Sequence, residues 1–136
     1  MSTNLKKKLS VVSICLLTSL FACSMDNFST HLIGHYSGNL PCADCPAITM
    51  NIDLKEKAEY QSEMVYQERN QTANEKGSWK VINEKDLSGK EQTILELSPY
   101  HSSNKTYFYL QNNTTLQMLD ESKIPVPYRE LKKHVY

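Results

Sequence analysis

Residues 47–54 run "AITMNIDL", a strict alternation of apolar and polar side chains from Ile48 onward. Ile48, Met50, Ile52 and Leu54 alternate with Thr49, Asn51 and Asp53, which puts apolar side chains on one face and polar ones on the other. A period of two belongs to a strand with one face in a core and one in water. The alternation recurs downstream. In "YQSEMVYQ" (60–67), Tyr60, Met64 and Tyr66 share a face with Ser62, and in "GSWKVI" (77–82) Trp79 and Val81 share one. "TILEL" (93–97), "TYFYLQ" (106–111) and "LQML" (116–119) carry the aromatic and aliphatic residues that suit a pleated, packed surface.

Between these runs lie polar segments rich in Asn, Gly, Pro, Asp and Ser: "KEKAE", "QERNQTANEKG", "NEKDLSGKEQ", "SPYHSSNK" and "QNNTT". Their chemistry is that of turns. Seven or eight short strands joined this way predict an all-β domain, an antiparallel meander closed into a barrel or folded as a sandwich. The chain ends in "KIPVPYRELKKHVY" (123–136), where Pro125 and Pro127 exclude a central strand. This segment is expected to be a solvated basic terminus with at most one helical turn at "YRELKKH".

The start of the chain has a different character. "MSTNLKKK" is a short cationic lead, and "LSVVSICLLTSLFA" (9–22) is an apolar run too short to span a bilayer as a helix. Residues 1–22 therefore read as an export signal. The run ends in "LFAC", which resembles the bacterial lipobox, so Cys23 is the expected site of lipid attachment after cleavage. Phe21 is bulkier than the residue usual there. Ser24 replaces the aspartate typical of inner-membrane retention, which implies the outer membrane. Multiple acyl chains hold a protein at a membrane where one alone binds only marginally. Residues 23–32 follow as a lipidated tether, and residues 33–136 form the domain.

Of the 136 residues, removal of the first 22 leaves 114 and takes three of the 15 basic residues but none of the 15 acidic ones. The remaining body is mildly acidic and offers no basic surface for nucleic acid. One domain with one modest core fits this length. The sequence holds no glycine-rich phosphate loop, zinc-protease motif or nucleophile elbow, and no acid–base or nucleophile constellation assembles from it. An enzyme is not expected.

The chemistry-bearing motif is "LPCADCP" (40–46), with Cys42 and Cys45 two residues apart between Pro41 and Pro46. A structural zinc site usually needs a second such pair, and none is present. Thioredoxin-type chemistry places the pair at a helix N-terminus, whereas this pair lies between strands. Two readings stay open. One is a disulfide between Cys42 and Cys45, favoured by an oxidising envelope. The other is a metal clip, since two thiolates from a short loop suit Cu(I). Met25, Met50, Met64, Met118, His31 and His35 could add ligands. His31 and His35, four apart, would stand about 13 Å apart on a strand and would chelate together only if the chain bends.

The stretch "IGHYSGNLPCADCPAITMNIDL" (33–54) resembles the opening of the NlpE N-terminal domain family, outer-membrane lipoproteins of copper resistance or copper homeostasis. Gly34, Tyr36, Gly38, Leu40, Pro41, Cys42, Ala43, Asp44 and Cys45 match the family's pattern without a gap, and "KGSWKV" and "LQMLDESKIPV" are similar to its later segments. The resemblance implies a small lipocalin-like antiparallel barrel on a lipid tether, in a single-domain version. It also implies a non-enzymatic role in envelope stress signalling to the Cpx sensor system, copper homeostasis, or both, with the lipoprotein-trafficking machinery as a further partner. The alternative is a lipocalin-like module that binds a small apolar ligand and carries a purely structural disulfide.

Overall fold

The computed structural model describes residues 27–135, with side chains described from Ser29. The expected export signal 1–22, the expected lipid-attachment residue Cys23 and the start of the expected tether lie outside the described residues.

Eight strands follow one another as an antiparallel meander: β1 (Gly34–Leu40), β2 (Ile48–Leu54), β3 (Glu59–Tyr66), β4 (Gln71–Lys85), β5 (Glu91–Pro99), β6 (Thr106–Asn112), β7 (Thr115–Leu119) and β8 (Pro125–Lys133). Each pairs with its sequence neighbour, and β8 returns to β1 to close a barrel. Closure removes the unpaired edges that would otherwise invite aggregation. The predicted alternation is the wall of this barrel. Met50, Ile52 and Leu54 turn inward and are buried, as are Tyr36, Tyr60, Trp79, Leu95, Leu97, Phe108, Leu116 and Leu131. They form one packed cluster, joined by Ile48, Met64, Val81 and Met118. A buried leucine or aromatic residue contributes about 1.5–3 kcal/mol by leaving water, and this cluster is the main source of stability.

Two glycines are explained by close approach. A Cβ at Gly38 would stand 2.2 Å from the Glu130 carbonyl oxygen, because β8 runs tightly over β1 there. A Cβ at Gly77 would stand 2.1 Å from the Ser98 carbonyl oxygen and 2.6 Å from the Tyr60 ring. Gly77 lies where the long strand β4 passes from pairing with β3 to pairing with β5.

Three stretches differ from the sequence expectation. The segment "QERNQTANEKG" is a turn only over residues 67–70, and from Gln71 onward it is the first half of β4, paired with β3. Its exposed polar residues leave no alternation to read. Residues Asn27–Leu32, assigned to the tether, form a short helix α1 whose Leu32 is fully buried and whose Leu32 carbonyl accepts a 2.9 Å hydrogen bond from the Tyr36 hydroxyl. Burial pushes the Tyr36 phenol up to about 12.

The third difference is the chain end. "PVPYRELKK" is not a solvated tail but β8, and Leu131 within it is completely buried. The prolines are tolerated because the ladder is already broken around them. Gln117 pairs with Glu130 and Leu119 with Pro125, so β8 bulges between, and Tyr128 takes a positive φ of 61°. The buried Gln117 amide donates to the carbonyls of Val126 and Arg129, supplying bonds that the ladder lacks there.

Candidate functional site at the Cys42–Cys45 loop

Strand β1 ends at the buried Leu40, and β2 starts at Ile48. The loop between them holds both cysteines, each half-buried, with Pro41, Ala43, Asp44 and Pro46 exposed. The prolines restrict the backbone at both ends of the pair. The two sulfurs lie 2.00 Å apart with a Cα separation of 5.3 Å, a bonded disulfide. Its span fits the usual range for such a bond. Cys42 Sγ stands 3.7 Å from Asp44 Oδ1, and Cys45 Sγ stands 3.5 Å from the Ala47 carbonyl oxygen. On reduction, each thiol would find an acceptor already in place.

The loop is tied to the neighbouring β3–β4 turn. Arg69 donates to the Asp44 carbonyl oxygen at 3.1 Å, and its guanidinium also pairs with the Asp44 carboxylate. The Gln67 backbone N–H donates to the Ala47 carbonyl at 3.0 Å, and the Gln67 side chain donates to Thr49 Oγ1. Thr49 in turn donates to Asn39 Oδ1. The disulfide therefore sits on a braced platform. Arg69 escaped the sequence reading because it lies 25 residues from Asp44 in a polar turn with no motif of its own.

The other candidate ligands are not brought to the cysteines. Met50 is buried in the barrel, with Met64 and Met118 packed against the same core. His35 lies at the opposite end of β1, hydrogen-bonded to Asp53 at 2.7 Å. Met25 lies outside the described residues. Asp44 is engaged by Arg69. Among the described residues, the candidate soft donors gathered at the loop are the two sulfurs, which are joined to each other as a disulfide. Among the described residues no group of three or more His, Cys, Asp or Glu side chains is arranged to hold a metal ion.

Two cavities open at the surface of the described residues. One, of about 230 Å³, is lined by polar residues of β1–β4, including His35, Asp53 and Glu63. The other, of about 340 Å³, lies between the β4–β5 turn and the β7–β8 connection.

Comparison with known proteins places this geometry in context. A solved structure of the Cpx pathway activator NlpE from Escherichia coli superposes with a TM-score of 0.52 at 22% identity, covering 71% of this chain and 46% of that one. A Shewanella oneidensis chain provisionally described as a lipoprotein superposes with a TM-score of 0.52 at 23% identity, covering 75% of this chain and 88% of that one. The two share the fold, and this chain spans less than half the length of the E. coli chain. No match was found among curated proteins. The sequence profile of the NlpE N-terminal domain matches residues 36–127, most of the barrel and the whole cysteine loop, and the chain belongs to that family.

Proposed function

We propose that this protein is a non-enzymatic bacterial envelope lipoprotein, anchored at the outer membrane through Cys23, whose Cys42–Cys45 loop responds to envelope redox or copper state. The observation that carries this reading is the braced disulfide at the barrel's rim, half-exposed and set apart from the core. A disulfide buried in a core would serve stability, but a three-residue loop closure gains little entropy. Its accessible position suits chemistry with an outside reagent, either a thiol or a soft metal ion.

Family membership and the E. coli neighbour, described as an activator of the Cpx pathway, support a role in envelope stress signalling. The lipid anchor follows from the lipobox-like "LFAC", and the trafficking machinery would handle the chain as it handles other lipoproteins. When bound, copper would be held by Cys42 and Cys45. The chain's own part is to present both sulfurs on a loop that Arg69 holds in place. The ligand-binding alternative is less well supported, since aromatic and leucine side chains pack the barrel interior.

The test combines physiology and chemistry. Overproduction of the wild type is expected to raise Cpx-dependent transcription, with Cys23→Ala and the Cys42→Ser/Cys45→Ser double variant each altering the response. Envelope-purified protein should titrate no free thiols before reduction and two afterwards, and the reduced form should compete for Cu(I). A flat reporter in all strains would remove the signalling role. Absence of Cu(I) binding after reduction would remove the copper role.

A further inference from the structure

We propose that His35 and His134 form a chelating site for a borderline divalent transition-metal ion of the Cu(II) or Zn(II) class, which staples the barrel seam between β1 and β8. This goes beyond the cysteine loop, from which His35 stands roughly 20 Å away along β1 at the usual strand rise.

The two histidines are 99 residues apart in sequence but neighbours across the seam. The His134 backbone N–H donates to the His35 carbonyl at 2.9 Å, one step beyond the Tyr36–Lys133 register pair. Their ring centroids lie 4.9 Å apart, tilted by 57°. With metal–nitrogen bonds of about 2.0–2.1 Å and angles of about 90–109°, two imidazoles on one ion place their centroids about 4.5–5.2 Å apart. The observed separation falls inside that window.

Each ring also has one nitrogen already held by oxygen. His35 Nδ1 lies 2.7 Å from Asp53 Oδ1, which leaves Nε2 as the lone-pair nitrogen. His134 Nε2 lies 2.6 Å from Ser37 Oγ, and donation from Nε2 to that oxygen leaves Nδ1 as the ligand. An oxygen partner on the non-ligating nitrogen is the usual outer shell of a metal-bound histidine. The nearby cations are engaged elsewhere: Lys133 donates to the His31 carbonyl, and Lys132 pairs with Glu130 and Thr115. Solvent completes the coordination, because the edge of the seam is open to it; His134 is exposed.

The experiment titrates Cu(II) and Zn(II) into the untagged mature chain with the cysteines oxidised, by calorimetry and, for Cu(II), by electron paramagnetic resonance. One ion per chain is expected, with two-nitrogen hyperfine structure and a raised melting temperature. His35→Gln and His134→Gln should each lower affinity at least tenfold and abolish the thermal shift, and Asp53→Asn should lower affinity about 10–100-fold. The Cys42→Ser/Cys45→Ser double variant should bind as the wild type does, which separates this site from the loop. The metal-free melting temperature of His134→Gln checks that the variant folds. Unchanged binding in both histidine variants, or loss only in His31→Gln or His101→Gln controls, overturns the site.

Discussion

Arg69 grips Asp44 at two points, donating to its backbone oxygen and pairing with its carboxylate, so a side chain of the β3–β4 turn braces the middle of the disulfide loop. The carboxylate is mostly exposed, so the ion pair itself contributes about 0–1 kcal/mol. Its consequence is local order rather than global stability. Arg69→Ala is expected to leave the urea midpoint nearly unchanged while speeding reduction of Cys42–Cys45 by dithiothreitol several-fold. The rate of thiol release at fixed reductant measures this, and an unchanged rate would count against the brace.

Leu131 tests the role of the last strand. It is fully buried at the seam, so Leu131→Ala should cost about 2–5 kcal/mol in chemical denaturation. Were the chain end only a solvated tail, the same change would fall within about 0.5 kcal/mol of zero.

Gly77→Ala and Gly38→Ala should each destabilise by about 1–3 kcal/mol or more, since the added methyl meets backbone oxygens that cannot easily move aside. Gly89→Ala provides a contrast: nothing lies near its Cβ, and its cost comes only from a φ of 83°. A ranking with Gly89 as the most sensitive would contradict the packing explanation.

Acid stability should depend on Glu96. This carboxylate lies on the outer face of β5, nearly buried, beside Lys105 at 2.8 Å and Lys80 at 3.4 Å. Burial pushes its pKa up, but the two lysines outweigh that and hold it below the ordinary value of 4.5. A depressed folded-state pKa contributes stability that is present above 4.5 and is lost as pH falls through the folded value. Glu96→Gln should therefore flatten the stability profile below pH 4.5, measured by denaturation across pH. An unaltered acid limb would show that other carboxylates dominate it.

The alkaline side has the opposite sign. Burial raises the Tyr36 phenol from 10.0 to about 12, so its contribution is present below pH 10 and is lost as pH rises toward 12. Tyr36→Phe should remove that loss while forfeiting the hydrogen bond to the Leu32 carbonyl, worth about 1 kcal/mol at neutral pH. Spectrophotometric titration beside thermal melts separates the two effects.

The all-β character was legible in single stretches. "AITMNIDL" alternates because one face of β2 must enter the core, and that requirement is written residue by residue into the local pattern. The family resemblance was equally local, carried by the contiguous string from Gly34 to Cys45. The first half of β4 was not legible, because its residues are exposed and polar, and only pairing with β3 makes them a strand.

The inward face of β2 and the cysteine motif could be read from the sequence alone, since each depends on neighbours within a few residues. Tertiary structure decided what those parts meet. Closure by β8, the Arg69 grip on Asp44, the Gln117 amide beneath the Pro125–Pro127 bulge and the pairing of His35 with His134 join residues from 9 to 102 positions apart, as do Lys133 and His31. Such contacts arise from the register and curvature of a closed sheet. No local pattern of polarity encodes which turn or terminus a barrel brings back to its first strand.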